Sequence, residues 1–164
     1  MRLFVPILAS LALLAGLSAC APSKQAAENL DAAAAFMAKN AKVRGVKTLP
    51  SGVQYKVVKA GPATGVSPKV VDEVKVHYEG KLLSGLVFDS SFQRGTPATF
   101  PLRGLIPAWT EALQLMKPGD EWLLYVPPAL GYGAQGAGPI PPNSVMVFRI
   151  QLIDVMPHPA PPAG

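Results

Sequence analysis

The run from Val74 to Asp89, Val-Lys-Val-His-Tyr-Glu-Gly-Lys-Leu-Leu-Ser-Gly-Leu-Val-Phe-Asp, constrains the fold more than any other part of the chain. Val74, Val76 and Tyr78 fall on one face of an extended segment, and Lys75, His77 and Glu79 on the other. That is the period of a half-buried sheet strand. A turn follows, and the run ends on an aromatic beside a carboxylate, Phe88-Asp89. An acid among apolar groups needs a hydrogen-bonded partner, because leaving it bare is expensive. The Tyr78 phenol is one candidate. Taken alone, the pattern fits an ordinary sheet with a satisfied acid as well as it fits a functional pocket.

Downstream segments add aromatics in a definite order. Thr99-Phe100-Pro101-Leu102 reads as a short strand, with Leu102 a core residue. Leu105-Ile106-Pro107-Ala108-Trp109 then opens a helix over about Pro107–Met116, in which Trp109, Ala112, Leu113 and Met116 repeat at helical spacing. Pro107 suits a first helical turn, where its missing N–H costs nothing. Lys117-Pro118-Gly119-Asp120 stops the helix. Further strands are expected at Val53–Lys59, Val70–Leu82, Trp122–Val126 and Val145–Val155, and Pro127 to Gly133 reads as a loop carrying Tyr132. Several strands with one internal helix indicate an α+β domain. Residues 46–156, roughly 110 of them, are a normal domain size.

This order of residues resembles the FKBP family of peptidyl-prolyl cis/trans isomerases, and within it the Mip-like isomerases of the bacterial envelope. The matching pieces are Val76-His77-Tyr78-Glu79-Gly80, Phe88-Asp89-Ser90-Ser91, Ile106-Pro107-Ala108-Trp109, Gly131-Tyr132-Gly133 and Ile140-Pro141-Pro142-Asn143, the last followed by Val147-Phe148. The resemblance covers roughly residues 45 to 156. It implies a curled antiparallel sheet wrapped over one short helix, with a pocket between them. Trp109 would form the floor, with Tyr78, Phe88, Phe100, Leu105, Ile106, Tyr132 and Phe148 as walls and Asp89 as the one charged lining group. Catalytic parts would fall to Asp89, Tyr132, Tyr78 and the backbone N–H of Ile106, and substrate contacts to Phe88, Phe100, Leu105, Trp109 and Phe148. Implied partners are proline-containing polypeptides and macrolides of the tacrolimus or rapamycin type, with no cofactor. Two departures stand out. Ala98 replaces a frequent aromatic and is expected to open a pocket wall, and Pro107-Ala108 replaces a frequent Arg-Gly before the tryptophan. A rival reading keeps the pocket but makes the domain a non-catalytic chaperone or binding module. A third is a structural lipoprotein with a relic pocket.

Other chemistries lack their parts. The two histidines are His77, on the face opposite Tyr78, and His158 in a proline-rich tail, so a His/Cys metal site is not expected. Gly131-Tyr132-Gly133 has neither the helix nor the lysine of a phosphate loop. Ser90-Ser91 beside Asp89 has no histidine to serve it, and both serines read as turn-formers. The net charge of +5 is spread without a basic cluster, which argues against nucleic acid as a partner.

Residues 1 to 19 form a unit of their own. Arg2 gives a positive start, Leu3 to Leu17 is apolar but short for a membrane span, and Leu17-Ser18-Ala19-Cys20 closes it. The tetrapeptide looks like a lipobox, which makes residues 1–19 a signal peptide and Cys20 the lipidated first residue. A plain secretory signal with a chance cysteine is the alternative. Cys20 is the single cysteine of the chain, so no intramolecular disulfide forms. More than one acyl chain at Cys20 suffices for stable anchoring, and Ala21, not an aspartate, points to the outer membrane, facing the periplasm. Residues 20–45 are expected to be an Ala-rich spacer with a partial helix. They are far shorter than the dimerisation region of many Mip-like proteins, which leaves the oligomeric state open. Residues 157–164 form an extended Pro-rich tail.

Overall fold

Alternation along the Val74 segment becomes a ten-residue strand in a computed structural model of the chain, which describes residues 23–158. In chain order the elements are α1 (Lys24–Asn40), β1 (Val46–Thr48), β2 (Gln54–Lys59), β3 (Glu73–Leu82), β4 (Val87–Ser90), α2 (Ser91–Arg94), β5 (Ala98–Pro101), α3 (Pro107–Leu113), β6 (Glu121–Val126) and β7 (Met146–Met156). Short 3-10 turns lie at Leu102–Gly104 and Pro128–Leu130. All seven strands join one antiparallel sheet in the order β1-β2-β6-β7-β3-β4, with β5 also on β3.

β4 and β5 share one edge of β3. The first half of β3 pairs with β5 (Val74 opposite Phe100, Val76 opposite Ala98), and the second half with β4 (Gly80 opposite Asp89). Helical turn α2 fills the break between them, capped by Ser90, whose Oγ accepts from the Gln93 N–H at 3.2 Å. This split edge brings Phe88, Asp89 and Phe100 to the same side of the sheet from two separate strands. Register shifts in the β3–β4, β3–β7 and β2–β6 pairings mark bulges, which raise local twist and bend the strands.

One face of the sheet is dry. Val74, Val76 and Tyr78 of β3, Trp122, Leu124 and Val126 of β6, and Met146, Phe148, Ile150 and Leu152 of β7 are buried in one cluster. Against that face lies α3, which buries Ala108, Trp109, Ala112 and Leu113. Pro107 occupies its first turn. Leu102 is fully buried, as expected. The architecture is the α+β sheet-over-helix arrangement expected from the sequence.

Boundaries differ from expectation where side chains compete for backbone. β3 starts at Glu73 rather than Val70, because the Asp72 carboxylate accepts from the Lys69 N–H at 2.7 Å and closes a turn. α3 ends at Leu113 rather than Met116, since the N–H groups of Leu115 and Met116 bond three residues back. The elements β1, β4 and α2, of three or four residues each, are too short to show a period in the sequence.

Within the alanine-rich stretch, Lys24–Asn40 forms a continuous 17-residue helix. Ser23 caps it by accepting from the Ala26 N–H at 3.2 Å. Near its end, Asn40 Nδ2 donates to Gln54 Oε1 at 2.8 Å, and Gln54 Nε2 donates to the Met37 carbonyl at 2.8 Å. Ala26 and Ala33 are buried against the domain. Among the described residues no helix is long and apolar enough to cross a membrane. Cys20 and residues 1–19 lie outside the described residues.

Candidate active site

Sheet, α3 and the loop after β6 enclose a cavity of about 340 Å3, lined by Tyr78, Phe88, Asp89, Phe100, Gly104, Leu105, Ile106, Trp109, Tyr132 and Phe148. All nine residues singled out from the sequence as pocket-forming are therefore brought together. Ala98 is not among them: it packs half-buried opposite Val76.

The floor is a set of perpendicular ring contacts. Trp109 meets Tyr78 at 5.3 Å, Phe148 at 5.2 Å and Phe100 at 6.3 Å, each edge to face, and Phe88 meets Phe148 in the same way at 5.7 Å. Such edge-to-face pairs match the positive rim of one ring to the negative face of the next. Among the described residues the buried Trp109 indole N–H has no hydrogen-bond partner.

Asp89 sits at the mouth. The Tyr78 hydroxyl donates to its Oδ2, Arg94 Nη1 donates to its Oδ1, and Arg94 Nη2 donates to the Tyr78 hydroxyl at 3.1 Å. The Arg94 guanidinium also lies 5.7 Å from the Tyr78 ring centroid. Desolvation opposes ionisation of Asp89, but the Tyr78 and Arg94 hydrogen bonds outweigh it and hold the carboxyl below its ordinary range. Tyr78 moves the other way: desolvation and its bond to Asp89 push the phenol up, against Arg94. Asp89 is therefore an anion and Tyr78 a neutral donor throughout the physiological range.

Arg94 was missed in the sequence. It stands five residues after Asp89, and only the turn of α2 carries it back. A signal was present, since Ser90 is a good helix cap and a basic residue one turn later points back towards the strand it left.

Two donors at the rim are free. Among the described residues neither the Ile106 N–H nor the Tyr132 hydroxyl makes an internal hydrogen bond, and Ile106 is only half-buried. Ile106 is the residue before Pro107, held extended at φ −58° and ψ 149°, as the following proline ring requires. On the opposite face of the sheet, Ser91 is fully buried and its Oγ accepts from the Tyr78 N–H at 2.7 Å. The His77 ring stacks on Phe92 at 4.8 Å, with Nδ1 at 3.0 Å from Ser91 Oγ, away from the cavity. No cluster of metal-ligating side chains occurs among the described residues.

A small, aromatic-lined pocket on a bent antiparallel sheet, with one bonded carboxylate and free donors at its rim, defines a prolyl-isomerase-like domain. Comparison with known proteins agrees. The family model for the FKBP-type peptidyl-prolyl cis-trans isomerase matches residues 65–153, and the model for the domain amino terminal to it matches residues 12–57. The chain belongs to the FKBP-type peptidyl-prolyl cis-trans isomerase family. It is 54% identical over 128 residues to the peptidyl-prolyl cis-trans isomerase Mip of Coxiella burnetii, covering 77% of this chain and 55% of that protein. It is 50% identical over 132 residues to FkpA of Aeromonas hydrophila, covering 80% and 48%. The crystal structure of FkpA from Escherichia coli superposes with a TM-score of 0.79 at 46% identity, covering 83% of this chain and 63% of that one. The chain thus spans about half the length of the curated relatives it matches.

Proposed function

We propose that this protein accelerates cis/trans rotation of Xaa-Pro bonds in exported polypeptides. The observation that carries the reading is the aromatic cavity floored by Trp109, with Asp89 bonded at its mouth and the Ile106 N–H unpaired at its rim.

Rotation about an Xaa-Pro bond has an activation energy of about 20 kcal/mol, because resonance gives the C–N bond double-bond character. Lowering that barrier requires no nucleophile. The twisted amide loses resonance, its carbonyl loses negative charge and its nitrogen becomes pyramidal, so a site that binds this form better than either planar isomer is a catalyst. In this reading the prolyl ring lies on Trp109 between Phe100 and Phe148. The Ile106 N–H binds a substrate carbonyl beyond the proline, and the Tyr132 hydroxyl binds another. Asp89 acts on the rotating carbonyl electrostatically and also fixes Tyr78.

The setting is the bacterial envelope, to which a relative named outer membrane protein MIP in Legionella longbeachae lends support. The lipobox at Leu17–Cys20 supports a lipid anchor at Cys20 in the outer membrane, facing the periplasm. Residues 1–19 are then the signal peptide, 20–45 the lipidated linker, 46–156 the isomerase domain and 157–164 a tail. Tacrolimus-type macrolides, in the same reading, compete with the prolyl substrate for this cavity.

A protease-coupled isomerisation assay on Xaa-Pro peptides, with and without tacrolimus, tests the proposal. Catalysis that the macrolide abolishes is the expected result. A folded protein inactive on several Xaa-Pro peptides would leave the non-catalytic binding module.

A further inference from the structure

We propose that helix α1 positions the Tyr132 turn of the pocket, acting through Asn143. The inference rests on the isomerase reading above. Asn143 is the one non-glycine residue with positive φ (54°) among the described residues, and it is buried. Its two amide groups face two different elements. The backbone N–H donates to the Gly133 carbonyl at 2.9 Å, closing the loop immediately after Tyr132. The side-chain Nδ2 donates to the Ala26 carbonyl of α1 at 2.8 Å, across 117 positions of sequence. A reciprocal bond runs the other way, from Asn29 Nδ2 of α1 to the Pro142 carbonyl at 2.8 Å.

These two amide bonds are the specific ties at that end of the helix. Grooves of about 220 and 530 Å3 flank the junction, Asn143 lines both, and Ala26 and Ala33 pack between them. At the other end α1 is fixed to β2 by the Asn40–Gln54 and Gln54–Met37 hydrogen bonds. A 17-residue helix spans about 25 Å, so α1 is a stiff strut between a sheet strand and the loop that carries Tyr132. Within that loop the Gly133 N–H donates to the Pro128 carbonyl and the Gly136 N–H to the Tyr132 carbonyl, so a shift at Asn143 reaches Tyr132 through one residue. Asn143 and Asn29 are positioning residues, since neither contacts the cavity interior.

The test uses the full chain and three variants. Asn143→Gly keeps the left-handed backbone at little strain while removing the side-chain donor. Asn143→Asp keeps the size but presents a carboxylate to the Ala26 carbonyl. Asn29→Ala cuts only the reciprocal tie. With folding matched by circular dichroism and urea midpoint, Asn143→Gly is expected to lower kcat/KM about tenfold, the scale of a small misplacement of a binding group. Combined with Tyr132→Phe it should cost no more than the worse single change. Amide hydrogen exchange at Gly133 and Gly136 should quicken in Asn29→Ala, where the loop sequence is untouched. Unchanged exchange in Asn29→Ala, or a fully multiplicative double mutant, would overturn the inference. Wild-type inactivity would sink the isomerase reading instead, and the exchange measurement would still decide the coupling.

Discussion

Gly80 is where two pocket rings meet the sheet. A Cβ built there would lie 2.6 Å from Phe88 Cε2 and Cζ and 2.7 Å from Phe148 Cε1. Glycine normally weakens a strand, and here it makes room for close ring approach. Gly80→Ala is expected to cost about 1–3 kcal/mol by overpacking, read as a lower urea midpoint, and to shift the near-ultraviolet signal of the aromatic cluster. Tyr78→Phe removes a hydroxyl that serves both Asp89 and Arg94. A loss of about 1–2 kcal/mol follows from one buried hydrogen bond, and kcat/KM should fall further than stability does. Asp89→Asn keeps the shape but removes the charge. The Asp89 side chain is 40% exposed, so its ion pair contributes no more than about 1 kcal/mol after screening. A drop in kcat/KM larger than that small stability loss would assign Asp89 an electrostatic part, and an equal drop a structural one.

At the level of elements, α2 is the smallest piece with the largest reach. One side of this helical turn carries Arg94 to Asp89 and Tyr78, and the other carries Phe92 into a stack. Phe92 lies between the His77 ring at 4.8 Å and the Arg149 guanidinium at 4.8 Å, and Arg149 is itself paired with Glu121 at 2.6 Å. The stack holds α2 from the side of the sheet away from the pocket. Phe92→Ala should therefore loosen Arg94, measured as weaker macrolide binding at nearly unchanged melting temperature. The loop after β6 is fixed by different means. Gly136 has φ +67°, and a Cβ there would lie 2.2 Å from the Ile140 carbonyl oxygen. Gly136→Ala is expected to disorder the Tyr132 loop and cut kcat/KM while the core melts normally, seen as protease sensitivity confined to that loop.

Over the whole molecule, pH acts at the edges of the range. Hydrogen bonds hold Asp72, Asp89 and Glu121 below their ordinary values, against desolvation in each case. A depressed carboxylate stabilises the fold fully above its unfolded value, about 4, and that contribution is lost as pH falls through the folded value. Tyr78 and Tyr125 are raised by burial, so their contribution is present below about 10 and lost above it. Melting temperature should be level from about pH 5 to 9 and fall below about pH 4. Because Asp89 stays ionised and Tyr78 protonated across that window, kcat/KM should also be level.

The strand pattern of Val74 to Leu82 and the helix start at Pro107 were legible from the chain, because each is a local or periodic signal, whereas the pocket set from Tyr78 to Phe148 was legible only through the family its motifs resemble. Period-two burial selects which side chains face inward, and a proline at a first helical turn is a local preference. Such signals place the strands and the helix, and it was the resemblance carried by the ordered motifs that collected the pocket residues. Arg94, Gly80 and Asn143 were decided only by the tertiary structure. Arg94 reaches Asp89 because β3 changes partners and α2 fills the gap. Gly80 matters because rings from β4 and β7 converge on it, and Asn143 because it bonds a helix more than a hundred residues away. Likewise the alanine-rich segment reads as a weak helix on its own, since helices of its length are marginal without packing. Its bonds to β2 and to the Asn143 turn make it continuous, and no sequence period records contacts between distant segments.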